Sequence, residues 1–161
     1  MIRAVFLDRD GTIIKGPTPP KKPKDIVFVP GSIAALTELR RAGFLLFLVS
    51  NQPDVAKGNS TMEELQAVHL KFKRELEISG IHFREFYYCY HREEDHCFCR
   101  KPSPLFLIRA KEKYDIDLTR SWMVGDSDKD IHCGVAAGTK TYLVDNTNTL
   151  TQAVKRILED V

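Results

Sequence analysis

The chain has 161 residues, 43% of them hydrophobic and 29% charged, with a formal net charge of +2. That length suffices for one domain with a core that needs no disulfides, and so small a charge excludes a generally basic nucleic-acid or membrane surface. No apolar run approaches the roughly 20 residues that span a bilayer, and the charged, apolar and small-residue succession of a signal peptide is missing from the start. The expectation is a cytoplasmic chain that partners neither membrane nor nucleic acid.

In chain order, apolar runs alternate with amphipathic segments, the pattern of an α/β fold with a Rossmann-like parallel sheet flanked by helices. Strands are expected at Ile2 to Leu7, Phe44 to Val49, Phe86 to Cys89, Trp122 to Val124 and Thr141 to Val144. A first helix starts at a Ser32 cap and runs to about Ala42, where Gly43 stops it. A longer helix begins near Ser60-Thr61, carries the stripe Leu65, Val68, Phe72 and Leu76, and ends at Gly80. Ser103-Pro104 opens another helix, Asp128 caps the next, and Thr149 to Glu159 forms the last. Between the first two elements, Gly16-Pro17-Thr18-Pro19-Pro20-Lys21-Lys22-Pro23-Lys24 is too rich in proline for a helix or a central strand. It reads as a stiff loop whose lysines can overhang the residues at the end of the first strand.

Those residues are the informative part of the chain. Ala4-Val5-Phe6-Leu7 runs into Asp8-Arg9-Asp10-Gly11-Thr12, so two carboxylates two residues apart stand on one side of an extended chain. Such a pair can hold a divalent cation and divide nucleophilic attack from proton transfer. The second apolar strand ends in Ser50-Asn51-Gln52, which offers neutral donors for a phosphate oxygen. Arg100-Lys101-Pro102 places two cations before a helix; Arg suits bidentate contact with a phosphoryl group and Lys acts as a point charge. Gly125-Asp126-Ser127-Asp128-Lys129-Asp130 ends another strand. There Asp126 can complete an oxygen shell around Mg²⁺ with Asp8 and Asp10, and Asp130 supports that shell or an ordered water.

Three of the four cysteines lie close together in Cys89-Tyr90-His91 and Cys97-Phe98-Cys99. Three sulfurs and one imidazole make a closed tetrahedral set with no position left for water or substrate, which is the form of a structural zinc site. A zinc-binding loop at about 89–99 would fix Arg100 and Lys101 in place. Cys133 reads as a small core residue, His69 and His82 as surface or satisfied core residues, and Trp122 and Tyr87-Tyr88 as sheet packing.

Together, Asp-x-Asp-Gly-Thr, a Ser at the second strand end, a Lys and Gly-Asp-x-x-x-Asp resemble the haloacid dehalogenase superfamily of phosphotransferases over essentially the whole chain. The resemblance implies one phosphatase domain over 1–161 with no large cap domain. It makes Asp8 the nucleophile that forms a phospho-aspartate, and Asp10 the residue that protonates the leaving oxygen and then activates water. It also has Asp10 offer its backbone carbonyl to Mg²⁺, and Ser50 and Lys101 stabilise the transferring phosphoryl group. Cys-x-His and Cys-x-Cys-Arg-Lys-Pro look like the superfamily's small, zinc-carrying branch, whose two main activities remove the 7-phosphate of D-glycero-D-manno-heptose 1,7-bisphosphate or hydrolyse histidinol phosphate. The stretch Asn51-Gln52-x-x-Val55-Ala56-Lys57-Gly58 favours the first, although Pro53-Asp54 departs from that pattern and a carboxylate at Asp54 suits an amine better than a bisphosphate. Arg100 then contributes to substrate recognition, and the expected partner is a small phosphorylated substrate met by a monomer. From a different class, a zinc-stabilised binding module without catalysis is the alternative, which the full set of carboxylates counts against.

Overall fold

The computed structural model describes residues 1–161. Five strands, β1 (Ala4–Leu7), β2 (Leu45–Asn51), β3 (Glu85–Cys89), β4 (Trp122–Gly125) and β5 (Lys140–Leu143), form one sheet in the order β3-β2-β1-β4-β5. Every pairing is parallel, with Leu7 opposite both Leu48 and Val124. The helices are α1 (Ser32–Arg41), α2 (Met62–Ile78), α3 (Leu105–Tyr114), α4 (Asp128–Ala137) and α5 (Leu150–Glu159). This is the α/β architecture expected, without a large cap domain. No helix is long and apolar enough to cross a membrane.

Strand alternation divides the core into two layers. Val5, Leu7, Leu46, Leu48, Trp122 and Val124 face α1, α2 and α5, while Ala4, Phe6, Phe47, Val49 and Met123 face α3 and α4. All four residues of β1 are fully buried, as a central parallel strand should be. The α2 stripe of Leu65, Val68, Phe72 and Leu76 is buried as its spacing requires. Thr61 caps that helix by accepting from the Glu64 N–H while Glu64 returns the bond to the Thr61 N–H.

Four helix starts differ from expectation by one residue, among them α5, where Thr149 is the cap and Leu150 the first helical residue. Gly31, at φ 82°, occupies the cap position before α1, so Ser32 is the first helical residue. Pro104 caps α3 instead of opening its first turn. Asp128 does not cap α4; the cap is Ser127, because Asp130 reaches back to accept from both its N–H and its hydroxyl. β2 also runs two residues further than its apolar run, through Ser50 and Asn51, because β3 pairs with it as far as Cys89.

The chain from β1 to α1 is pinned at its base, where Lys15 N–H donates to Val27 O and Val29 N–H to Ile13 O. Its proline-rich part contains one 3-10 turn at Pro23–Asp25. Lys21 and Lys22 lie close enough to Glu64 to lower its pKa, alongside the stronger effect of its Thr61 bonds. These lysines therefore face the start of α2, and the residue this loop brings to the carboxylates is Pro17.

Candidate active site

In a 3-2-1-4-5 sheet, successive connections leave β1 on opposite sides, and the carboxyl ends of β1 and β4 border the crevice this creates. Asp8 and Asp126 stand at those strand ends, and Ser50-Asn51 at the end of the neighbouring β2. Asp8 prolongs β1 through its N–H bond to Val124 O at 3.0 Å, which fixes its backbone before any ligand arrives. Two glycines let the carboxylates approach: a Cβ on Gly11 would fall 2.0 Å from Asp126 Oδ2, and one on Gly125 would fall 2.1 Å from Asp130 Oδ2.

Lys101 is the hub. Its buried ammonium donates to Val49 O at 2.7 Å, Asp8 Oδ1 at 3.0 Å and Asp130 Oδ1 at 2.6 Å, which uses all three of its hydrogens. Burial opposes its charge, but Asp8 and Asp130 outweigh that and hold its pKa above the usual lysine range. Burial also pushes Asp8 up to about 6, against the pull of Lys101 and with Asp126 and Asp10 adding like-charge repulsion. Asp126 and Asp130 are raised as well, again chiefly by burial. Carboxylate oxygens of Asp8, Asp126 and Asp130 lie within 4.8 Å of one another. Three carboxylates around one ammonium leave an excess of negative charge, which a divalent cation with oxygen preference would neutralise. The donor set fits Mg²⁺.

Asp10 is held separately. Arg9 donates through Nε to Oδ1 at 3.1 Å and through Nη2 to Oδ2 at 3.3 Å, and Gln52 Nε2 donates to Oδ2 at 2.8 Å. The side chain of Asp10 thus stays out of the three-carboxylate cluster and sits beside it. Asn51 and Gln52, expected as phosphate donors, are engaged with protein groups. Gln52 spends both amide hydrogens on Asp10 and Ser50 Oγ, while Asn51 braces the backbone of Lys101 through its N–H (3.0 Å) and carbonyl (3.2 Å). A cleft of about 130 Å³ is lined by Asp8, Asp10, Pro17, Asn51, Lys101, Asp126, Ser127 and Lys129. Asp54 is not among these residues. The largest cavity, about 640 Å³ and bounded by Lys15, Pro30, Asp145 and Thr149, contains none of Asp8, Asp10, Asp126 and Asp130.

Next to the cleft, Cys89, His91, Cys97 and Cys99 converge as expected. Cys89 Sγ lies 3.4 Å from His91 Nδ1 and 3.7 Å from Cys97 Sγ, and Cys99 Sγ lies 3.4 Å from His91 Nδ1 and 3.9 Å from Cys97 Sγ. A tetrahedron with the usual Zn–S and Zn–N lengths has edges of roughly 3.5 to 3.8 Å, so these four edges fit the ion. The Cys89–Cys99 edge is tighter, at 2.8 Å. His96 takes no part. The loop reaches the site through Arg100, whose guanidinium donates to the His91 carbonyl at 3.2 Å. With His96, Lys101 and Lys129, Arg100 lines a second cleft that adjoins the first.

One group of residues carries no signature in the sequence. Arg9, 1% exposed, also donates from Nη1 to His69 Nδ1 on α2 at 2.9 Å, and His69 stacks on Tyr88 of β3 with ring centroids 3.7 Å apart. Tyr87 packs within the sheet side as expected, against Phe47 and Phe106. Cys133 is a buried core residue whose thiol donates to Ser103 O, and burial pushes its pKa up to about 12.

An uncapped parallel sheet with a cleft-facing carboxylate, a buried lysine and an acidic cluster suited to a divalent cation at its switch point has the make-up of a small phosphohydrolase. Residues 98–159 match the model of a family described as HAD-hydrolase-like. The chain is 32% identical over 144 residues to D-glycero-alpha-D-manno-heptose-1,7-bisphosphate 7-phosphatase of Photorhabdus laumondii, covering 85% of this chain and 79% of the relative. It is 33% identical over 153 residues to the beta-anomer 7-phosphatase of Escherichia coli K12, covering 91% and 80%. Its fold superposes with a TM-score of 0.89 at 28% identity on the D,D-heptose 1,7-bisphosphate phosphatase of B. bronchiseptica complexed with magnesium and phosphate, covering 99% of this chain and all of that one. The chain belongs to the haloacid dehalogenase-like hydrolases, and it is a phosphatase of that family.

Proposed function

We propose that this protein is a Mg²⁺-dependent phosphomonoesterase that removes the 7-phosphate of D-glycero-D-manno-heptose 1,7-bisphosphate through a phospho-aspartate. The observation that carries the reading is the division of labour between the two carboxylates at the end of β1. Asp8 lies on the cleft with one oxygen on Lys101, while Asp10 is clamped by Arg9 and Gln52 beside it. In the first half-reaction an Asp8 oxygen bonds to phosphorus, the P–O bond to the sugar breaks, and Asp10 gives its proton to the departing alkoxide. In the second, Asp10 takes a proton from water as the water oxygen attacks phosphorus, and phosphate leaves with Asp8 restored. Lys101 holds Asp8 ionised for attack and counters the charge that returns to it when the acyl phosphate is cleaved. Ser50 accepts the Gln52 amide at 2.8 Å and keeps its own hydroxyl proton for a phosphoryl oxygen.

Asp8, Asp126 and the Asp10 carbonyl would hold Mg²⁺, with Asp130 behind them because its oxygens already serve Lys101 and Ser127. When bound, the ion supplies positive charge against the phosphoryl oxygens. Cys89, His91, Cys97 and Cys99 would hold a structural Zn²⁺ that keeps Arg100 and Lys101 in place. Arg100 and Lys129, at the rim of the adjoining clefts, suit a substrate with a second anionic group. Every group the reaction uses comes from one chain, so a monomer suffices.

Phosphate release with Mg²⁺ tests the reading, with the alpha and beta bisphosphates compared side by side with histidinol phosphate. The expected result is a preference of at least about 100-fold in kcat/KM for a bisphosphate, near 3 kcal/mol of transition-state discrimination. A preference for histidinol phosphate would overturn the substrate and leave the chemistry standing.

A further inference from the structure

Arg9 stands between the two reacting carboxylates, yet its guanidinium points away from the cleft into a small aromatic chamber. Nε and Nη2 grip both oxygens of Asp10. The remaining terminal nitrogen, Nη1, donates to Nδ1 of His69, which stands on the inner side of α2 next to the buried Val68. His69 in turn lies flat on Tyr88, and the Arg9 guanidinium is 5.8 Å from the centre of that same ring. Tyr90 closes the chamber, 6.1 Å from both rings. Three elements distant in sequence (the end of β1, the middle of α2 and the end of β3) thus meet on one guanidinium.

The arrangement requires a lone pair on His69 Nδ1. Burial, with Arg9 as the only charged neighbour acting on it, pushes the imidazole pKa down to about 3, so the ring stays neutral at any pH at which the enzyme would work. The proton then resides on Nε2, which is buried without a partner. Leaving that donor unpaired is costly, so the bond accepted from Arg9 and the stack on Tyr88 are what hold the ring in this orientation. A bidentate guanidinium is pre-organised only if its own plane is fixed. His69 and the Tyr88 ring fix it.

We propose that His69 is a positioning residue for the proton-transfer carboxylate: it orients Arg9, and through Arg9 sets the direction in which Asp10 presents its oxygens to the leaving group. The inference rests on the role given to Asp10 under the proposed function. It assigns to α2, which contributes nothing to the cleft, a part in the chemical step.

The test reads the first half-reaction alone, as single-turnover release of the leaving group with enzyme in excess. Two substrates are compared: the heptose bisphosphate, whose alkoxide must be protonated, and 4-nitrophenyl phosphate, whose phenolate leaves without a proton. His69→Phe keeps the stack on Tyr88 and removes the acceptor, whereas His69→Asn restores an acceptor oxygen near the Nδ1 position. For His69→Phe the expected result is an alkyl-ester rate lowered by about 10- to 100-fold, a 4-nitrophenyl rate changed by less than about threefold, and an unchanged half-saturating enzyme concentration for either ester. His69→Asn recovers most of the alkyl rate. Asp10→Asn serves as the reference and shows the same split more strongly, by about 100- to 10,000-fold.

Equal losses on both esters in His69→Phe, or no loss on either, alongside the expected split in Asp10→Asn, would overturn the role of His69 and leave that of Asp10 intact. An Asp10→Asn variant without the split would remove the role of Asp10, and the inference with it. Should His69→Phe not fold, His69→Leu and His69→Asn supply the same contrast, and similar rates for those two on the alkyl ester would refute the proposal.

Discussion

The strand-end carboxylates and the cysteine–histidine loop adjoin each other but are held by opposite means. Asp8 and Asp126 continue buried strands, Ser50 belongs to one, and hydrogen bonds from Lys101, Arg9 and Gln52 orient the carboxylates. In the loop only Cys89 belongs to a strand, and Phe98, between two of the cysteines, is 84% exposed. A central parallel strand can fix a side chain by packing alone, because its backbone has nowhere else to go. An exposed loop must fix its side chains by a bond, and the Cys₃His set would supply four through the proposed Zn²⁺. The two regions meet in Arg100 and Lys101, one hydrogen-bonded to the loop and the other to the carboxylates.

That contrast is sharpest at Asp8, the proposed nucleophile. Asp8→Asn is expected to lower turnover by at least about 10,000-fold while zinc content and the circular dichroism spectrum stay unchanged, since the sheet places residue 8 whatever its side chain. The loop should behave in the reverse way. Cys99→Ser, or zinc removal by a chelator, is expected to lower turnover by about 10- to 100-fold and to make residues 90–100 the first site of proteolysis, with the sheet still folded. If chelation unfolded the whole chain, the division between the two regions would be wrong.

A smaller effect separates the buried charges from the loop. The folded pKa of His69 lies far below its unfolded value near 6.5. Below about pH 6.5 the unfolded chain therefore takes up a proton that the native state refuses, and stability falls as pH drops toward 3. Denaturant unfolding of wild type and His69→Phe at pH 7 and pH 5 should show their stability difference shifting by about 1 kcal/mol per pH unit in favour of the variant at low pH. A constant difference would show that His69 is not held neutral. The smallest effect lies outside both regions: Thr61→Ala removes the α2 cap and should cost about 1 kcal/mol in the same assay, with turnover and zinc content untouched.

How much of the molecule was legible in its sequence depended on the range of each interaction. Asp8-Arg9-Asp10-Gly11-Thr12, Gly125-Asp126 and the Cys/His spacing are local patterns at the ends of apolar runs, so their placement at one sheet edge follows from parallel topology. The strands and the α2 stripe followed from periodicity. Cap residues were missed by one position because a cap is decided by a single bond: Ser127 outranks Asp128 only because Asp130 turns back to it. Gln52 and Asn51 looked like phosphate donors because the sequence cannot say which neighbour claims an amide first. The contact joins Arg9 to His69 and Tyr88, 60 and more positions away, and neither the helix stripe nor the strand pattern marks such a meeting. The one available sign was an arginine placed between two reactive carboxylates.

The proposed covalent intermediate can be tested for directly. Asp10→Asn protein given 4-nitrophenyl phosphate with Mg²⁺ forms the acyl phosphate without needing a proton for the phenolate, and lacks the base that would hydrolyse it. Acid quenching, borohydride reduction and peptide mass spectrometry then report which carboxyl group was phosphorylated, since reduction turns an aspartyl phosphate into homoserine. The phospho-aspartate mechanism predicts homoserine at position 8 alone. Homoserine at another position, or phenolate release with Asp8 unmodified at every time point, would contradict it.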